Sequence, residues 1–193
     1  MPTIIEKKLA FDFADGWQVV KYDQRVNPET GESAGFYRRV IEKGGVQHVR
    51  GVDLICRLPD LPERLQFIEV KDDRKRELAV GPRHAELFIT VMQKVASTLA
   101  GLVVAERLGD VSLLPYACLG QQPAIEVALF LVEPELGVPA TSGENGLYRL
   151  AKKQGVTALD QRLFAKLAEW NLPFVLYNLS NRRPPDWQVR DLA

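Results

Sequence analysis

A chain of 193 residues with 46% apolar content can bury a sizeable core in one domain, or in one domain with an elaboration. Its 25 basic and 25 acidic side chains cancel to a net charge of zero, which argues against a nonspecific nucleic-acid binder held by bulk charge alone. No apolar run reads as a membrane span, the N-terminus lacks a signal-peptide core, and Cys56 and Cys118 stand outside any CxxC pattern, so a soluble cytoplasmic protein with a reduced, buried Cys56 is expected.

In chain order, Pro2 occupies a plausible first helical position, and Ile5, Leu9 and Phe13 recur at four-residue intervals, predicting an opening helix. Asp15-Gly16 breaks it, and Trp17 to Asp23 reads as a strand. Residues 24–48 form a turn-rich insertion marked by Asn27-Pro28 and Thr30-Gly31. Within it, Phe36 to Glu42 alternates well enough for a strand and also tolerates a short helix, the strand being favoured. The apolar runs around Asp53 and Glu69 are predicted strands, closed off by Gly81-Pro82. From Arg83 to Leu108, the spacing of Leu87, Val91, Val95, Leu99, Leu102 and Val103 predicts the longest helix, with Ala96, Ala100 and Gly101 suited to close packing on a sheet. Residues 125–133 read as a buried strand and 134–146 as a loop. A helix from Ala158 to Trp170, a strand from Pro173 to Ser180 and an irregular tail complete the chain. The order predicts an α/β sandwich with a central mixed sheet.

The chemistry concentrates between Gly51 and Lys71. Side chains alternate along a strand, so Glu69 and Lys71 project from one face while Val70 points into the core. The short PDLPER loop lets the Asp53 strand fold back antiparallel beside the Glu69 strand, gathering two carboxylates and an ammonium. Ionisable groups inside apolar strands need a partner or a ligand. Asp53 and Glu69 offer two hard oxygen donors and the Val70 carbonyl a third, a set that suits Mg²⁺ or Mn²⁺, with Lys71 placed to assist a water. The plainer alternative is an exposed Glu-x-Lys on an ordinary strand with Asp53 in a turn; the apolar flanks and Gly51 weigh against it. Arg38, Arg39, Lys43, Arg50, Arg74, Lys75, Arg76 and Arg83 flank the cluster, as contacts for backbone phosphates or as a solvated surface.

GVDLICRL followed by LQFIEVKDD resembles the two central motifs of the PD-(D/E)xK nuclease superfamily, with valine in place of the usual proline before the Asp. The resemblance covers about residues 3–133 and implies a restriction-endonuclease-like core, a three-layer α/β/α sandwich, here with a hairpin-like insertion at about 24–48 and a helix-strand addition at about 157–180. It also implies a metal-dependent nuclease acting on DNA, with Asp53 and Glu69 as Mg²⁺ ligands, Lys71 catalytic, and Glu6 on the first helix as a further acid. Arg38, Arg39, Arg50, Arg74, Lys75 and Arg76 would then face nucleic acid. The expected alternative is a catalytically inactive nuclease-like module that binds nucleic acid or protein in a defence or repair complex, alone, as a homodimer or as a subunit. Gln93 and Lys94 lie near the middle of the long helix, where some related nucleases have a polar residue facing the site; an exposed helix face is the favoured reading. His48 and His84, the only histidines, make no triad or zinc set, and Trp17, Trp170 and Trp187 are expected to pack the core.

Overall fold

A computed structural model describes residues 1–25, 34–43, 50–58, 64–74, 82–133, 143–180 and 182–192. It is a mixed α/β structure with two sheets. The larger sheet has the order β3 (Gln18–Lys21), β4 (Leu54–Arg57), β5 (Arg64–Asp72), β6 (Ala124–Val132) and β7 (Phe174–Tyr177). The first two pairings are antiparallel and the last two parallel. Parallel neighbours need crossovers, and α1 (Pro82–Leu108) and α2 (Gly143–Ala168) provide them.

Strand alternation divides the core in two. Ile55, Leu65, Phe67, Val127 and Leu129 face α1 and α2, where they meet Leu87, Val91, Val95, Leu102, Leu159, Leu163 and Leu167. Leu54, Cys56, Ile68, Val70, Ala128 and Phe130 point the other way, onto a smaller antiparallel sheet of β1 (Thr3–Glu6), β2 (Leu9–Phe13) and β8 (Trp187–Asp191). Among the described residues the second face is therefore covered by a sheet, whereas an α/β/α arrangement would have a helical layer there. Cys56 is a free buried thiol, as its apolar run predicts.

The N-terminal helix expected from the four-residue spacing is a hairpin. Leu9, Phe11 and Phe13 are buried at a period of two, and that pattern wins because it delivers all three to one sheet face. The reversal at Lys7 carries no glycine or asparagine; Lys7 itself takes the left-handed conformation, at φ 57°. The expected irregular tail is β8, whose Trp187 pairs with Phe13 and whose Val189 pairs with Phe11. Trp187 lies 5.6 Å from the Phe11 and Tyr177 rings and donates its indole N–H to Gln66 Oε1 at 2.9 Å. Tyr37–Glu42 is a π-helical segment, the helical alternative for that run. α2 starts at Gly143, well before the expected Ala158. Its first half is polar and contains Gly155, where a Cβ would meet His84 Nδ1 at 2.5 Å.

By length and composition His84–Leu108 is apolar enough to cross a membrane, which differs from the sequence expectation. Its buried stripe here belongs to the core, and it carries Lys94, engaged with two carboxyls.

Candidate active site

Asp53 stands just ahead of β4, and Glu69 and Lys71 lie near the end of β5. The antiparallel register of Leu54 with Ile68 brings the two acids together. The Val70 N–H donates to Asp53 Oδ2 at 2.7 Å, which ties this carboxylate to the neighbouring strand. Glu69 is 3% exposed, and its carboxyl and that of Asp53 both lie within reach of one ammonium, Lys94 Nζ. The convergence expected of Asp53 and Glu69 is thus present in the fold.

A wedge of aromatic packing sets this geometry. Tyr22, at the end of β3, is fully buried, and its N–H donates to the Asp53 carbonyl at 3.0 Å. A Cβ on Gly51 would lie 2.3 Å from its ring and one on Gly101 1.9 Å from its hydroxyl, so both glycines are needed for α1 and the Asp53 strand to approach. Thr98 adds a polar pin. Its hydroxyl accepts from the Val52 N–H at 3.0 Å and donates to the Lys94 carbonyl at 2.8 Å.

That pin aims Lys94 inward, where an exposed helix face was expected. Lys94 Nζ lies 2.8 and 2.7 Å from the two Glu69 oxygens and 3.4 Å from Asp53 Oδ1. The signal existed in the sequence: Lys94 falls between Val91 and Val95 on the stripe that Thr98 and Leu102 continue. Burial, followed by the neighbouring Asp53 charge, pushes Glu69 up to about 8 against the pull of Lys94. Burial pulls Lys94 down, but the two carboxyls outweigh it and raise its pKa. Glu69 therefore holds its proton near neutrality beside the Lys94 ammonium.

The cluster opens into a cleft of about 520 Å³. Lys71, half-buried, lines it together with Val70, whose carbonyl accepts from Lys7 Nζ at 3.4 Å. Glu6 also lines the cleft, but from the end of β1, paired with Lys21 at 3.1 Å. Among the described residues no three His, Cys, Asp or Glu side chains gather as a metal-ligating group, so Glu6 does not complete a three-acid set. Its position follows from the hairpin that replaces the expected helix.

The flanking cations divide. Arg50 lines the cleft. Arg38 lines it too, with Nε 2.8 Å from Asp23 Oδ1 and a guanidinium N–H donating to both Glu42 oxygens at 2.8 Å. The Asp23–Arg38 approach is an ion pair without hydrogen-bond alignment. Asp23, unforeseen in the sequence, is a fourth cleft acid beside Glu6, Asp53 and Glu69; burial raises its pKa although Arg38 and Lys94 pull it down. Arg39 instead reaches Asp110 beyond α1, at 3.0 Å. Arg74 turns away to Asp72 and Asp191, lining a separate depression at the ends of β6 and β7. Lys75, Arg76 and His48 lie outside the described residues. Lys7, Lys21 and Arg25 are cleft cations the sequence did not single out. Of the tryptophans, Trp187 is buried, Trp17 packs on Phe13 with centroids 5.6 Å apart, and Trp170 is 42% exposed where a core position was expected.

No protein-family model matches this chain, and no curated protein or solved structure matches it either.

Proposed function

We propose that this protein is a metal-dependent nuclease that hydrolyses phosphodiester bonds, with DNA as its polymer. The observation that carries the reading is the meeting of the Asp53 and Glu69 carboxyls on Lys94, in a cleft also lined by Lys7, Lys21, Arg25, Arg50 and Lys71. The strand pair with its crossover helix and parallel partner, β3 to β6, supports a restriction-endonuclease-like core, with a hairpin where that core has its first helix.

The donor set fits Mg²⁺ or Mn²⁺. Two carboxylates and the Val70 carbonyl are hard oxygen donors, and a small divalent ion needs only one or two carboxylates when water and phosphate complete its shell. That the pair already holds a cation, the Lys94 ammonium, speaks for its affinity for positive charge. Such an ion would lower the pKa of a bound water and neutralise charge on a phosphoryl oxygen. Asp53 and Glu69 would hold it, while the Val70 N–H fixes the Asp53 rotamer. Lys71, on the cleft wall, would orient the attacking water and stabilise the pentacovalent phosphorane. Arg50, Arg25 and Lys21 would take the flanking phosphates.

Cleavage of duplex and single-stranded DNA with Mg²⁺ or Mn²⁺ tests the reading. Asp53→Asn and Lys71→Ala should each lower the rate by about 10²–10³ with the fold retained by circular dichroism. Cleavage unchanged in both variants, or undiminished by EDTA, refutes it. One observation favours a second reading, a nuclease-like binding module: Lys94 fills the space between the acids. A gel-shift with no cleavage under any divalent ion supports the module.

A further inference from the structure

We propose that Lys94 is a built-in counter-ion standing where the divalent ion would bind, so that metal loading is an exchange of the Lys94 ammonium for the ion. The inference rests on reading Asp53 and Glu69 as metal ligands.

Three observations carry it. First, Lys94 Nζ sits almost symmetrically between the Glu69 oxygens, at 2.8 and 2.7 Å, with Asp53 Oδ1 at 3.4 Å. An ion bound by these carboxylates needs its oxygens at about 2.0–2.1 Å. The ion and the ammonium would then crowd the same few ångströms, two positive charges behind a single pair of acids. Second, the placement is built. Lys94 is 7% exposed on a 27-residue helix, and the Thr98 hydroxyl one turn later joins the Lys94 carbonyl to the Val52 N–H beside Asp53. Third, the ammonium has somewhere to go. Asp23, which Arg38 approaches at 2.8 Å, lines the same cleft as a further acid.

The exchange has a direct consequence. Without metal, Lys94 satisfies the buried acids and stabilises the fold. With metal, it competes, so its presence weakens the affinity for the ion.

The test is calorimetric titration of the full chain with Mn²⁺ alone, comparing the native protein with Lys94→Met, Lys94→Gln and Asp53→Asn. Both Lys94 variants should bind Mn²⁺ at least tenfold more tightly than the native protein. They should melt at lower temperature without metal and recover on its addition, and Asp53→Asn should remove the binding. If the native protein binds, Asp53→Asn abolishes this, and the Lys94 variants bind equally or more weakly, the exchange is overturned while the metal-site reading stands. If only the Lys94 variants bind, Lys94 fills the ion's place without leaving it, the exchange is overturned and the metal-dependent enzyme gives way to the module. If none binds, both fail. Lys94→Gln keeps a hydrogen-bonding end should Lys94→Met not fold. In the native protein, acylation of Lys94 by an N-hydroxysuccinimide ester, mapped by mass spectrometry, should rise at saturating Mn²⁺; unchanged labelling of the metal-bound protein overturns the exchange.

Discussion

Glu69 has 3% of its surface exposed, and its environment makes ionisation unfavourable. In the unfolded chain it would titrate near its ordinary value of 4.5, whereas in the fold it is pushed up to about 8. Between these values the native state binds more protons than the unfolded one, so this group's contribution to stability is complete below about 4.5 and lost as pH rises through about 8. The slope is at most about 1.4 kcal/mol per pH unit. Urea melts at pH 5 and pH 8 should show the native protein losing stability across that window, and Glu69→Gln should flatten the dependence. Equal slopes in the two proteins would show that Glu69 is not held protonated. By the same sign, if Glu69 holds the proposed ion, Mn²⁺ binding should strengthen with rising pH toward about 8, since the ion would have to displace the retained proton.

At the scale of elements, the approach of α1 to the Asp53 strand depends on Tyr22 lying against Gly51 and Gly101. A methyl on Gly101 would strike the Tyr22 hydroxyl, whose buried oxygen has no hydrogen-bond partner among the described residues. Gly101→Ala should therefore destabilise by about 1–3 kcal/mol, even though alanine is the better helix former. Tyr22→Phe removes the struck atom and leaves Cζ as the nearest, at 3.2 Å from the added Cβ. A double-mutant cycle by urea denaturation should show the Gly101→Ala penalty shrinking in the Tyr22→Phe background; additive effects would mean that α1 shifts as a body. These helix and strand elements were readable in advance, because each carries its own periodicity. The stripe through Leu87, Val91, Val95 and Leu102 marked α1, and the apolar runs around Asp53 and Glu69 marked β4 and β5. The opening hairpin was not, since Ile5, Leu9 and Phe13 satisfy a helical spacing while Leu9, Phe11 and Phe13 satisfy a strand, and Lys7 gives no turn signal. Only the partner face decides between them.

For the whole molecule, Trp187 is the residue through which the far end of the chain closes the second core. It packs against Phe11, Phe13, Phe130 and Tyr177 and bonds to Gln66, 121 positions away in sequence. Trp187→Ala should cost about 3–5 kcal/mol in chemical denaturation. Trp170→Ala, at a position 42% exposed, should stay within about 0.5 kcal/mol. Similar penalties at both positions would contradict this division of the core.

The amino-acid sequence alone determined the Asp53 and Glu69 strands, their antiparallel pairing and the long helix after them, because hydrophobic period and a short loop act over neighbouring residues. Tertiary structure decided that Lys94 points inward, that Glu6 rides on a hairpin, that Arg39 and Arg74 leave the cleft, and that the tail becomes β8. Apart from Lys94, which the α1 stripe already set on the buried side, these are settled by partners met only in the folded chain, and the free energy of meeting them, through burial or charge pairing, leaves no period in the local sequence.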